Sequence, residues 1–347
     1  MRWEGLYVAG TGVWLPAPVT AQSAVRDGRY DPEQAAADDL ESVRVADEDT
    51  APADMAVQAA TTALKRSGVD PADVELLVHA SIWFQGREMW PAASYIAEHS
   101  VGSHVTAFGL HQECNGGLAG LETVARHLAS AGPTAAGVVT SADRFGEPRL
   151  HRWTSESGYV YGDGGTALLL SRRGGFARLL SSVTRADNSL EAVVRGDGFH
   201  PHPTTEPLDV SGRLQQFVQR GGSMREATEK LATTVRGAVA QALAEADTDM
   251  GSVARAVVPA SGRGRMDWQV AALGVPLARS SWDFARQAGH LGAGDQTAGL
   301  DHLLATGAVH AGDKVLLVGG GSGFTCTCAV LEITEEPDYG TDPTETP

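Results

Sequence analysis

Apolar residues in this chain fall into short runs that end in glycine or polar turns, and these runs alternate with longer stretches of helical spacing. In the first half, the runs at 6–13, 74–82, 105–110, 135–142 and 166–171 predict buried strands. A helix is predicted over 53–67, with Asp54 in its first turn and Gly68 just past its end. A second, rich in glycine and alanine, is predicted over 115–130. Residues 17–52 are polar and acidic and read as a covering segment with short helices. The rhythm returns after a glycine turn. Strands are expected at 176–186 and 253–260, helices at 223–247 and 294–307, and two closing strands at 314–321 and 323–333.

Both halves thus run strand, helix, strand, strand, helix, strand, strand. The repeat predicts an α/β architecture of two halves, 1–173 and 174–334, each a parallel sheet covered by helices, with an acidic, disordered tail at 335–347. A ligand site is expected between the halves, near the carboxyl ends of strands.

Composition narrows the function. The 347 residues carry a net charge of −16, which argues against a nucleic-acid surface. The three cysteines, Cys114, Cys326 and Cys328, have no metal-ligand spacing, and no metal site is expected. The 200–203 "HPHP" run is a proline-stiffened loop without helical ligand spacing. With no cleavage-site pattern and no apolar window near the roughly 18 residues of a membrane span, a soluble cytoplasmic protein is expected.

Cys114 is the first candidate for chemistry. It lies between the 105–110 strand and the helix that follows, where helix N-terminal amides and the helix dipole favour a thiolate. A thiolate there suits covalent acyl transfer, whereas a buried core thiol is the alternative. The "GGGSGF" run at 319–324 lies between two strands rather than opening a helix, so a nucleotide-binding role is not expected.

Four stretches carry a family resemblance across roughly residues 4 to 334. They are "ADMAVQAATTALKRSGVDPADVELLVHAS" (53–81), "HQECNGGLAGL" (111–121), "YGDGGTALLL" (161–170) and "GGGSGFT" (319–325). In order and spacing they resemble the ketoacyl synthase III group of the thiolase fold. The resemblance implies two pseudo-repeated halves in a layered αβαβα sandwich, Cys114 as nucleophile, and a homodimer, for which the 105–110 strand is a candidate interface element. Condensing members place a histidine after a "VP" strand end and an asparagine in a later "GN" turn. Here those positions read Ala260 and, in "GHLGAGDQ", His290. Alanine can neither donate a hydrogen bond nor move a proton, so decarboxylative condensation is not expected.

What remains is Cys114, His290 and Asp295, which resembles the ketosynthase-III-like acyltransferases of antibiotic and secondary-metabolite pathways. The resemblance implies an acyl donor on the phosphopantetheine arm of an acyl carrier protein or CoA, with no other cofactor. It also implies a small hydroxyl or amine acceptor such as a deoxysugar. His290 would be the base and Asp295 its orienter, or Asp295 would simply interact with helix N-terminal amides. Backbone N–H groups of Cys114 and Ser322 would hold the oxyanion. Arg263 and Arg265 are candidates for carrier binding, and Trp83, Phe84, Met89 and Trp90 for the acyl pocket. The alternatives are a ketoacyl synthase III-type condensing enzyme making a carbon–carbon bond, and a non-catalytic binding partner.

Overall fold

The computed structural model describes residues 1–200, 202 and 205–337. The first half contains strands β1 (Tyr7–Trp14), β2 (Pro18–Thr20), β3 (Ser42–Arg44), β4 (Val74–Ala80), β5 (Thr106–Leu110), β6 (Ala136–Asp143) and β7 (Gly164–Ser171). Its helices are α1 (Ala21–Arg26), α2 (Pro32–Asp38), α3 (Pro52–Ser67), α4 (Ala92–Ser100) and α5 (Gly116–Leu128). The second half contains β8 (Ala177–Ala186), β9 (Val253–Val257), β10 (Lys314–Gly321) and β11 (Thr325–Ile333). Its helices are α6 (Glu191–Arg195), α7 (Val210–Gln219), α8 (Met224–Glu245), α9 (Arg263–Leu273), α10 (Trp282–Ala288) and α11 (Asp295–Ala305).

The main strands run β5-β4-β6-β7-β1 and continue, through a two-residue pairing of β1 with β8, as β8-β11-β10-β9. The second set mirrors the first outward from that joint. Helices α5 and α11 lie between the two sets: α5 packs on β4 and β6 and also on β10 and β11, and α11 packs on β1, β7, β9 and β10. Helix α3 covers β1 and β7 from outside, and α8 covers β8 and β11. The result is the layered α/β sandwich of the thiolase fold. Being covered on both faces explains why β6 and β7 are buried at every position, including their few polar residues. Along α5, Leu118, Leu121, Val124, Ala125 and Leu128 are buried, and each large one contributes about 1.5–3 kcal/mol of transfer free energy.

The expectation of parallel sheets is corrected. β4 is parallel to both β5 and β6, and β9 to β10, but β6–β7, β7–β1, β10–β11 and β11–β8 are antiparallel. The cause is local for the last hairpin: only Ser322, Gly323 and Phe324 separate β10 from β11, too short for a parallel crossover. Residues 17–52 form the expected short helices and also a two-stranded sheet of β2 and β3. In the expected tail, Glu335 donates its backbone N–H to the Phe176 carbonyl at 3.2 Å. The rest of that tail from 338, and residues 201 and 203 of the "HPHP" run, lie outside the described residues.

Candidate active site

Helix α5 begins at the wall between the two sheets, and Cys114 sits in the single 3-10 turn, Glu113–Asn115, that leads into it. Two glycines let the surrounding backbone close on this turn. A Cβ on Gly117 would lie 2.2 Å from the Ala293 carbonyl oxygen, and one on Gly321 would lie 2.3 Å from that of Gln112. No side chain larger than hydrogen fits at either point. Asn115 completes the joint: its Nδ2 donates to Thr327 Oγ1 at 2.9 Å, and its Oδ1 accepts the Thr327 N–H at 3.0 Å. The Cys114 turn of the first half is thereby fastened to β11 of the second.

The second half brings His290 to the same point. Its backbone N–H donates to the Val160 carbonyl at 2.8 Å, and Gly162 N–H donates to the His290 carbonyl at 2.9 Å. Its Nε2 lies 3.0 Å from Cys114 Sγ, and its Nδ1 lies 2.6 Å from Asp295 Oδ2. The Asp295 carboxylate can only accept, so Nδ1 carries a proton, and in the neutral imidazole Nε2 faces the thiol as an acceptor. Both side chains of the His290–Asp295 pair are 1% exposed, so the contact is made out of water.

Asp295 is also the first residue of α11, and its carboxylate accepts the Ala260 N–H at 2.6 Å and the Leu291 N–H at 2.7 Å. The two amides lie outside α11, so the carboxylate is held by its neighbours on the chain and in space rather than by the helix end, and this fixes it against the imidazole. Ala260 is buried and offers this centre only its backbone N–H and a methyl group.

The electrostatics of the thiol correct the expectation from the helix terminus. Burial pushes the Cys114 thiol up from its ordinary value, and the His290 contact only partly offsets this. Burial by itself disfavours a charged His290, but Asp295 and Cys114 outweigh it and hold the imidazole well above its usual range. The group beside the thiol that favours its ionised form is thus the His290 imidazole, against the effect of burial.

Tyr159 and Tyr161, two apart on an extended segment, flank the imidazole with ring centroids 5.0 and 5.5 Å from that of His290. Tyr161 also packs on Phe145, and the two belong to one apolar cluster with Leu150, Ile82, Trp83, Tyr159 and Leu208. Below it, the buried Asp143 carboxylate accepts the N–H groups of Ile82 and Trp83 and holds the start of that loop. Asp163, in the "YGDGG" turn, is fully buried and paired with both terminal nitrogens of Arg152 at 3.0 and 3.1 Å.

Trp83 is the one expected pocket aromatic that joins this cluster. Phe84 and Met89 are exposed, and Trp90 is displaced from the expected role: its ring packs on Tyr95, in the core between α3 and α4. Ser322 lies exposed in the β10–β11 turn, next to Gly321 and its close approach to the Cys114 turn. Arg263 is engaged by Asp267 at 3.0 Å and Asp39 at 3.3 Å and stacks on Trp282, whereas Arg265 lies over the Tyr159 ring at 4.7 Å. Sequence reasoning missed Asn115, Tyr159 and Tyr161. The signal for the tyrosines was their two-residue spacing before the glycine turn, which places them on one side of an extended segment.

Two family profiles match the chain: 3-Oxoacyl-[acyl-carrier-protein (ACP)] synthase III over residues 108–188, and its C-terminal counterpart over 243–333. A solved structure of ChlB3, described as an acyltransferase, is 35% identical, with a TM-score of 0.91 over 96% of this chain and 99% of that one. The chain belongs to the ketoacyl synthase III-like family of the thiolase superfamily. Another family member, acetoacetyl CoA synthase NphT7 of Streptomyces sp. (strain CL190), is 25% identical over 94% of this chain and 98% of its own length. The 3-oxoacyl-[acyl-carrier-protein] synthase III of Aquifex aeolicus VF5 is 21% identical and shares the fold, with a TM-score of 0.76 over 94% of this chain and 99% of that one. As a ketoacyl synthase III-like protein the chain is an enzyme of the acyl-transferring and condensing class. None of its described helices is long and apolar enough to cross a membrane.

Proposed function

We propose that this enzyme takes an acyl group from a carrier-protein or CoA thioester onto Cys114 and passes it to a hydroxyl of a small acceptor, forming an ester. The observation that carries the reading is the Cys114–His290–Asp295 relay, with contacts of 3.0 and 2.6 Å, beside an Ala260 that has no side-chain donor. Carbon–carbon bond formation from a malonyl donor generates an enolate that needs donors to its oxygen, and the one imidazole here has its Nδ1 proton committed to Asp295. A base pointed at the nucleophile serves O-acyl transfer instead. The similarity to ChlB3, described as an acyltransferase, supports the same side.

The proton inventory balances over two steps. In the first, Cys114 gives its proton to His290 Nε2 and attacks the thioester carbonyl. The carbon–sulfur bond to the donor breaks, and the departing thiol takes the proton from His290. In the second, an acceptor O–H gives its proton to His290 Nε2 and its oxygen attacks the acyl-Cys114 carbonyl. The bond to Cys114 breaks, and the cysteine recovers the proton. Asp295 holds the imidazole and stabilises its charged form throughout. Backbone N–H groups of Cys114 and of Ser322 are the proposed oxyanion donors.

Arg265 is the proposed partner for a phosphate of the donor arm, a reading supported by its exposure and its stacking on Tyr159 beside His290. Strand β5 is an edge strand that leaves Phe108 40% exposed, which supports a homodimer formed through it. Intact-mass analysis with acyl-carrier thioesters, then with hydroxyl acceptors, tests the reading. The expected result is a gain of the acyl mass on Cys114 that the acceptor discharges, and that persists in His290→Ala if that variant is loaded. Turnover that consumes malonyl carrier and releases carbon dioxide overturns it in favour of condensation.

A further inference from the structure

Glu156 is a carboxylate that the transfer chemistry leaves unused. It sits on the loop before the extended segment that carries Tyr159 and Tyr161. Its Oε2 accepts the Tyr161 hydroxyl at 2.5 Å, and the Tyr161 ring lies 5.5 Å from the His290 ring. Glu156 is thus one tyrosine away from the imidazole that touches Cys114. It is half-buried and forms no ion pair among the described residues, and the nearby Arg265 donates its Nε to the Ser157 carbonyl instead. The Tyr161 side chain that holds it also forms the wall of the apolar cluster containing Trp83 and Phe145. The negative charge is felt at the centre: it opposes ionisation of Cys114 and of both tyrosines.

We infer that Glu156 is a specificity-determining residue that restricts the acyl group loaded on Cys114 to uncharged acyl groups and rejects those ending in a carboxylate. The inference rests on the acyl-enzyme reading proposed above and names the substrate class for it. A neutral acyl group on Cys114, beside the apolar cluster of Tyr161, Phe145 and Trp83, meets no like charge from Glu156. A second carboxylate brought beside Glu156 meets like charge at reduced dielectric, and the two nearby cationic groups, Arg265 and His290, are engaged by the Ser157 carbonyl and by Asp295 rather than by Glu156. At separations near 7 Å and an effective dielectric near 20, this repulsion corresponds to roughly 10- to 100-fold in loading rate.

The test compares two thioesters of nearly equal shape, malonyl-CoA and the CoA thioester of malonic acid monomethyl ester, by the rate of mass gain on Cys114 at fixed pH. Wild type is expected to load the uncharged ester about 10- to 100-fold faster than the malonyl group. In Glu156→Gln that ratio is expected to fall toward unity through faster malonyl loading, with the ester rate within about threefold of wild type. Glu156→Ala is run alongside to separate loss of charge from loss of the Tyr161 contact, and the same collapse of the ratio is expected. Equal loading of the two thioesters by wild type, or a ratio unchanged in both variants, overturns the charge filter while leaving acyl transfer standing. Failure of every thioester, on CoA and on acyl carrier protein alike, to acylate Cys114 overturns the acyl-enzyme reading and this inference with it.

Discussion

Replacing Asp295 with asparagine keeps the shape of the relay and removes its charge. In the wild-type enzyme one carboxylate serves three donors: His290 Nδ1 and the Ala260 N–H at Oδ2, each at 2.6 Å, and the Leu291 N–H at Oδ1, at 2.7 Å. An asparagine has one accepting oxygen for these three. Its amide nitrogen must face either Leu291 N–H or the imidazole. If it faces the imidazole, Nδ1 becomes the acceptor, the proton moves to Nε2, and the base points a proton at Cys114. The change removes a charge-assisted contact and inverts the tautomer, which together are expected to slow acyl transfer by about 10³- to 10⁴-fold, or roughly 4–5.5 kcal/mol of transition-state stabilisation. The pH profile carries an independent sign. Once Cys114 is acylated its charge is gone, and Asp295 is the remaining partner that holds the imidazole up against burial. Removing that carboxylate must lower the imidazole's pKa. The acidic limb of acceptor transfer, where His290 becomes neutral, therefore moves to lower pH while the plateau falls. The assay is single-turnover discharge of pre-acylated enzyme to a hydroxyl acceptor, quenched and followed by intact mass across pH. A plateau within threefold of wild type with an unmoved acidic limb would refute the orienting role of Asp295.

Three further outcomes are expected. His79 is fully enclosed between Thr140 and Gln85, and burial, with His111 adding to it, lowers its pKa to about 4 despite the Gln85 contact. The unfolded chain binds a proton there first, so its contribution is complete above about pH 6.5 and is lost as pH falls toward 4. This amounts to about 3 kcal/mol, and urea titrations should show a shallower acid loss for His79→Gln than for wild type. Asp163→Asn leaves the Arg152 guanidinium without its buried counter-charge and is expected to cost about 3–5 kcal/mol, read as a lower denaturation midpoint at an unchanged slope. Phe108→Asp places a charge on the exposed edge strand β5; by light scattering wild type is expected to run as a dimer and the variant as a monomer, and an unchanged mass would remove β5 from the interface.

The run of apolar segments was enough to place the strands and long helices, because strands covered on both faces leave few polar positions to confuse the pattern. β6 and β7, buried throughout, were therefore legible within a residue or two. Cys114 was visible from its position before a helix, and Ala260 and His290 from the departures they make from the family's motifs. Strand direction was legible only in the closing hairpin, whose short turn forbids a parallel crossover; elsewhere a parallel and an antiparallel neighbour bury the same residues. Pairing decided it. The thiol's environment was not legible either: helix position suggested a lowered pKa, but enclosure between two sheets set the opposite direction. Trp90 and Trp83 look alike seven residues apart, and only packing sent one to the α3–α4 core and the other to the site. By itself the sequence determined which chemistries were available and which donor was missing, because these depend on residue identity. Tertiary structure alone decided that Asp295 reaches His290, that the tyrosines frame it, and that Glu156 stands unpaired at their edge. The tyrosines and His290 come from different halves, and the two five-residue contacts depend on how each loop is folded, so these distances exist only once the strands close on α5 and α11.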